Sequence, residues 1–256
     1  MLSAAEYIGS VIDTAENQEF RFDRFMDEAL YGPGGFYTSG VGRAGRRGDF
    51  ITSPEIGPLF GTVIGRALDA WWIAMGSPSD FRIFDVGCGP GGLARSIIAA
   101  QPQCLGGDSS RYVCVEIGES QWATHPVGVT SMKALPTGIL NGVVLANELL
   151  DNLPFRLLVN DGEWREAWVT HQDGSSSEVL HPLLNQPNFD LPTKGTLGAR
   201  IPWQQAAVEW VNDVVGRLNG RLVVIDYSVA LTSELSQRPW REWLRTYAGH
   251  EKGAHY

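Results

Sequence analysis

The chain has 256 residues, 43% of them hydrophobic, and 20 basic against 29 acidic side chains give a formal net charge of −9. That length accommodates one large α/β domain, with or without a helical extension. The acidic balance argues against nucleic acid as a partner, because a phosphate backbone needs clustered positive charge.

The opening stretch MLSAAEYIGSVIDTAENQEF has no basic region joined to an apolar run, and no arginine precedes Arg21, so neither a secretory nor a mitochondrial signal is expected. Residues 1–80 are expected to form a helical extension without strands of its own. Phe22, Phe25, Met26, Ala29 and Leu30 recur at the spacing of one helix face, and YGPGG ends that helix. A second apolar stripe runs from Ile56 through Leu59, Phe60, Val63, Ile64, Ala67 and Leu68 to Trp71 and Trp72; its helix starts either at the Ser53–Pro54 pair or at Pro58. Between the two lies GVGRAGRRGDFITSPE, which reads as a surface loop and lacks the Gly-Lys-Ser/Thr ending of a phosphate-binding loop.

From residue 81 onward, β-rich runs alternate with helices: FRIFDVG, then the helix GGLARSIIAA, then RYVCVEI, GVVLANE and RLVVIDY. Such alternation predicts a parallel sheet with helices on both faces, strand order 3-2-1-4-5. A helix is expected over 202–218, opened by Pro202 and leading into the last strand. FRLLVNDGEWREAWV predicts an inserted hairpin around Asp161 and Gly162, and residues 171–198 an extended loop. The expected organisation is an extension and lid over 1–80 and a catalytic domain over 81–256, with an insertion at about 155–198.

Cys88, Cys104 and Cys114 are odd in number and lack CxxC spacing, so they suggest neither a disulfide framework nor a zinc site, and no metal is expected. No stretch approaches the roughly eighteen apolar residues of a membrane span. A cytoplasmic protein with no membrane partner is the expectation.

The chemistry is concentrated in FDVGCGPGG, where a strand runs into Gly87, Cys88, Gly89, Gly91 and Gly92 before a helix. Glycines allow the tight turn and a close backbone approach, and a helix start offers free N–H groups. Gly87, Gly89 and Gly92 satisfy the GxGxxG spacing, so a dinucleotide remains an alternative. Asp85, two residues upstream, would attract an ammonium but repel a pyrophosphate. Glu116 ends the second strand, where a carboxylate can accept both hydrogen bonds of a ribose diol, in S-adenosylmethionine or NAD alike. In ANELLDNLPF, Asn147, Glu148 and Asp151 gather at the carboxyl edge of a further strand, with Asn147 expected to fix the turn by hydrogen bonding.

On RFDRFMDEALYGPGGFYTSG, GDFITSPEIGPLFG, the glycine turn, VVLANELLDNLPF, VVIDYS and LRTYAGH, the chain resembles the MidA-like family over most of its length. Mitochondrial members of that family are protein-arginine methyltransferases that act as assembly factors for respiratory complex I. The resemblance implies a class I methyltransferase fold, S-adenosylmethionine as cofactor, and transfer to an arginine of a protein substrate. It implies that Gly87, Gly89 and Glu116 hold the cofactor; Asp85, Cys88, Gly91 and Asn147 are expected to contact it as well, and Gly48, Asp49 and Phe50 to reach it as candidate parts of an N-terminal lid. Glu148, Asp151 and Asn147 then form the transfer site, Glu148 being the first choice to hold a guanidinium. Ser228 stands where the family pattern has glycine after Asp-Tyr. No pair of strands is expected after RLVVIDY, so the sheet is expected to lack the antiparallel pair with which this fold class ends. Asp226, Tyr227 and His250 are open to a structural reading. The rival readings are another methyl acceptor, or an assembly protein that keeps the cofactor fold without catalysis.

Overall fold

The computed structural model describes residues 4–38, 58–242, 247–248 and 251–252. In the N-terminal part, helix α1 (Ala4–Asp13) and helix α2 (Phe22–Tyr31) flank a short strand, β1 (Glu19–Arg21). Phe22, Phe25 and Ala29 pack with Ile8, Ile12 and Phe20, so the apolar face read from the sequence is the packed face. The helix stops at Gly32, whose N–H still reaches Glu28 O at 3.1 Å. The strand β1 departs from the expectation of an extension without strands.

Then follow α3 (Pro58–Ala74), β2 (Arg82–Val86), α4 (Gly92–Ala99), β3 (Tyr112–Val115), β4 (Thr130–Met132) and β5 (Leu140–Asn147). After β6 (Arg156–Asn160), β7 (Trp164–Gln172), β8 (Ser175–Pro182) and β9 (Arg200–Trp203) come α5 (Gln205–Arg217), β10 (Leu218–Ile225) and α6 (Thr232–Gln237). Two short strands, β11 (Tyr247–Ala248) and β12 (Glu251–Lys252), pair only with each other among the described residues.

The central sheet has the order β4-β3-β2-β5-β10 with every neighbouring pair parallel. Counted along the chain within that sheet, this is 3-2-1-4-5, as the alternating pattern predicts. Its two faces are filled by alternate residues of each strand. Ile83, Cys114, Val143 and Leu145 pack under Ile64 and Leu68 of α3 and Leu93 and Ile97 of α4. Phe84, Val86, Val113, Val115 and Val144 pack against Val214 and Trp210 of α5. Both faces being covered is why these strands read as continuous apolar runs.

A second sheet is antiparallel, in the order β1-β7-β6-β9, with β8 also on β7. The expected hairpin is β6–β7, closed at Gly162, whose N–H donates to Asn160 Oδ1 at 3.0 Å. Two expectations fail here. Residues 171–198 are not all loop, because β8 pairs with β7 from Gln172↔Ser175 to Arg165↔Pro182. Pro202 does not open a helix either: it lies in β9, paired with Leu157 of β6, and the helix begins at Gln205. β9 ends the sheet, and an edge strand tolerates a residue with no N–H. The inserted sheet therefore runs from 156 to 203 and recruits β1 from the N-terminal part.

Candidate cofactor and transfer site

Strand β2 ends at Val86, and the chain turns through Gly87, Cys88, Gly89, Pro90 and Gly91 into α4. Gly87, Gly89 and Gly91 have φ of 70°, 53° and 76°, a left-handed region that other residues enter at a cost. Space compounds conformation at Gly87, where a β-carbon would stand 3.0 Å from Leu149 Cδ1. The Gly87 N–H donates to Val115 O at 2.9 Å, fixing the turn to the end of β3.

Glu116 follows β3 and is 5% exposed. Its two oxygens accept from Gly89 N (2.9 Å) and Gly118 N (2.7 Å), so it ties the glycine turn to the loop after β3. Burial pushes its pKa up, against the pull of these backbone donors. Each carboxylate oxygen can accept more than one hydrogen bond, which leaves capacity for a diol. Asp85 is 2% exposed and accepts from Tyr112 Oη at 2.9 Å. Burial drives its pKa to about 7, despite that hydrogen bond and reinforced by the charge of Glu116.

Strand β5 ends at Asn147, whose buried Oδ1 has no hydrogen-bond partner among the described residues. The next residue, Glu148, has φ 52°, and its N–H donates to Ile225 O at 2.8 Å. Leu150 N donates to Asp226 Oδ2 at 2.8 Å, so Asp226 secures this turn to the end of β10. The side chain that braces the turn is Asn152 rather than the expected Asn147. Its Nδ2 donates to Glu148 O and Asp151 Oδ1, both at 2.9 Å. Burial first, then the charges of Asp226 and Glu148, raise the pKa of Asp151 to about 6.

The sequence reading missed the contribution of YGPGGFY to this region. Tyr31 Oη donates to Asn152 O and Tyr37 Oη to Asn152 Oδ1, each at 2.8 Å. Their rings stack at 5.6 Å, and burial raises both phenol pKa values well above the ordinary one. Tyr37 O lies 2.6 Å from where a β-carbon on Gly118 would be, so the segment also touches the loop beyond Glu116. The available signal was a pair of tyrosines flanking a Gly-Pro run.

The structure thus gathers Asp85, Gly87, Cys88, Gly89, Gly91, Glu116, Asn147, Glu148 and Asp151 at the carboxyl edge of the parallel sheet. Gly48, Asp49, Phe50 and His250 lie outside the described residues. Beyond the β5 turn, a cleft of about 360 Å³ is lined by Arg21, Asp23, Asp27, Pro154, Arg156 and Glu209, among others.

A parallel 3-2-1-4-5 sheet, with a glycine turn after its first strand and an acid after its second, is a class I methyltransferase fold. Residues 63–252 match the family model described as S-adenosyl-L-methionine-dependent methyltransferase, and the chain belongs to that family. Over 195 residues it is 29% identical to the "Protein arginine methyltransferase NDUFAF7 homolog, mitochondrial" of Drosophila melanogaster, covering 63% of this chain and 44% of that protein. The "Protein arginine methyltransferase NDUFAF7, mitochondrial" of Danio rerio is 37% identical over 199 residues, 64% of this chain and 46% of that one. The chain thus spans about half the length of these curated relatives. A crystal structure of a Burkholderia thailandensis protein bound to S-adenosyl-homocysteine superposes with a TM-score of 0.80 at 27% identity, covering 98% of this chain and 69% of that one. These findings bear out the resemblance to MidA-like methyltransferases.

Proposed function

We propose that the protein binds S-adenosylmethionine at the glycine turn and transfers its methyl group to an arginine side chain of a protein partner. The observation that carries this reading is the charge at the sheet edge. Asp85, Glu116 and Asp151 have no basic side chain within 4 Å among the described residues, and a cationic ligand would supply what the site lacks. The orphaned Asn147 Oδ1 beside them adds an acceptor suited to an ammonium or amide donor. A pyrophosphate would meet repulsion there.

The cofactor, when bound, supplies an electrophilic methyl on a sulfonium. The protein's part is alignment and exclusion of water. Glu116 accepts the ribose hydroxyls, while Gly87 and Gly89 keep the backbone low enough for close approach. Glu148 and Asp151 hold the guanidinium, which is always protonated in water, and take up charge as its proton leaves. Of residues 1–80, the segment carrying Tyr31 and Tyr37 serves as a lid on the domain 81–256, a reading supported by their bonds to Asn152, while α3 packs into the core of that domain. The open, mixed-charge cleft beyond the β5 turn suits a peptide better than a small metabolite. The same reading puts the protein in the cytoplasm, where its three free thiols stay reduced.

Incubation with isotope-labelled cofactor and cell extract, followed by mass spectrometry of the labelled residue, tests the acceptor. Label is expected on protein arginine, and Glu148→Gln is expected to lower turnover roughly 100-fold or more while cofactor affinity stays within about threefold. Label confined to lysine or to a metabolite, or no label at all, contradicts the arginine assignment.

A further inference from the structure

Beneath the glycine turn, three side chains from three separate elements converge: Cys88 from the turn, Cys114 from β3, and His125 from the loop before β4. Their ligand atoms all lie within 4.8 Å of one another. Cys88 Sγ stands 3.6 Å from His125 Nε2. With zinc–sulfur and zinc–nitrogen bonds of about 2.3 and 2.05 Å, a tetrahedral angle places sulfur and nitrogen about 3.6 Å apart. The observed separation is that edge. On the far side of the ring, His125 Nδ1 lies 2.8 Å from Ser131 Oγ. Nε2 also lies 2.9 Å from Gly89 O, which can only accept, so without metal the proton sits on Nε2; metal binding moves it to Nδ1, which then donates to the serine and frees the Nε2 lone pair for the ion, the outer hydrogen bond that orients metal-bound imidazoles.

We propose that Cys88, Cys114 and His125 form a three-ligand site for a thiophilic divalent cation of the zinc class. Two thiolates and a neutral imidazole around a divalent ion carry no net charge, which suits the partly buried place they occupy. The fourth position is left to water, as in zinc sites with three protein ligands. Binding displaces a proton from each thiol, and His125 Nε2 exchanges its 2.9 Å contact with Gly89 O for the metal. The carbonyl released belongs to the glycine turn, so the ion would be seated against the segment whose conformation matters most. The third cysteine, Cys104, has no part in this site; it lies elsewhere, with its N–H on Asp69 Oδ1 at 2.8 Å. Spacing could not show the cluster, since positions 88, 114 and 125 form no local motif.

The test is titration of the chelator-stripped, reduced protein with Co²⁺ and then Zn²⁺, with no methyl donor or acceptor present, so that it is independent of the catalytic reading. One Co²⁺ per chain is expected, with a thiolate-to-cobalt charge-transfer band and tetrahedral visible bands that Zn²⁺ bleaches. Zinc should also protect Cys88, the one of the three thiols that is not fully buried, from a thiol reagent. Cys88→Ser, Cys114→Ser and His125→Ala should each weaken binding roughly 100-fold or more, with Cys104→Ser unchanged. Wild-type spectra decide the matter even if a variant fails to fold. A cobalt spectrum without the thiolate band, undiminished binding in folded Cys88→Ser, or a Cys88–Cys114 disulfide with no metal uptake by the reduced protein overturns the site.

Discussion

Glu166 in the antiparallel sheet and Glu116 at the edge of the parallel sheet are buried alike, at 3% and 5% exposure, yet their surroundings differ in kind. Glu166 receives Arg156 through two hydrogen bonds, at 2.5 and 2.8 Å, and that guanidinium also lies over the Trp203 ring. Glu178 is likewise held by two donors of one guanidinium, Nη1 and Nη2 of Arg200. Among the described residues Glu116 has only backbone N–H groups, and Asp85 a tyrosine hydroxyl. The Arg156–Glu166 and Arg200–Glu178 pairs of the inserted sheet balance their charges within the fold. At the carboxyl edge of the parallel sheet no basic side chain pairs with Asp85, Glu116 or Asp151 among the described residues, which is where the proposed cationic ligand would bind.

The largest effect should come from breaking one of the balanced pairs. Arg156→Met leaves Glu166 in the interior with Arg21, 3.8 Å away, as its remaining basic neighbour among the described residues, and should cost about 3 to 5 kcal/mol in denaturant unfolding, whereas adding Glu166→Met should restore most of it. A double variant as unstable as the single one would show that the pair is not self-contained. At the acidic edge, Glu116→Ala should weaken cofactor binding by about 1 to 3 kcal/mol with little effect on stability, read by calorimetry and unfolding together. Unchanged affinity would remove Glu116 from the site.

The acidic edge should also show in the pH dependence. Asp85 titrates in the folded chain at about 7, above the usual carboxylate value, so its protonated form is favoured on folding. The stabilisation is complete below the unfolded pKa of about 4 and is lost as pH rises through about 7, at no more than ~1.4 kcal/mol per pH unit. Asp85→Asn should flatten that part of a stability–pH curve, and an unaltered slope would assign it to other groups. The smallest effect expected is that of Tyr37→Phe, which removes the hydroxyl from Asn152 Oδ1 and should cost about 0.5 to 1.5 kcal/mol. Faster amide exchange confined to residues 31–38 and the β5 turn would locate the loss.

The parallel sheet was legible chiefly from β2, β3 and β5, which are buried and form apolar runs ending near a glycine or an acid; β4, Thr-Ser-Met, carries no such run, and β10 is largely exposed. The inserted sheet was only half legible. β8 begins with three serines and is a strand only because β7 lies beside it across the Asp173–Gly174 turn. β9 contains Pro202, which resembles a helix start unless the strand is known to be an edge. β1 has three residues, too few for periodicity. At the site, Asp85, Glu116 and the β5 turn were readable from their places at strand ends. Asn152, Tyr31 and Tyr37 were not, because what they do depends on contacts more than a hundred residues apart in the chain.

The most direct test of an acidic edge built for a cationic nucleoside is calorimetric titration with S-adenosylmethionine, in buffers of differing ionisation enthalpy, with NADH as the control. A cation drawing Asp85 toward its charged form should release protons on binding near about pH 6.5, and Glu116→Ala should weaken the interaction. The account predicts single-site binding of S-adenosylmethionine with proton release and no binding of NADH. Binding of NADH in preference, or of S-adenosylmethionine with equal affinity after Glu116→Ala, would contradict it.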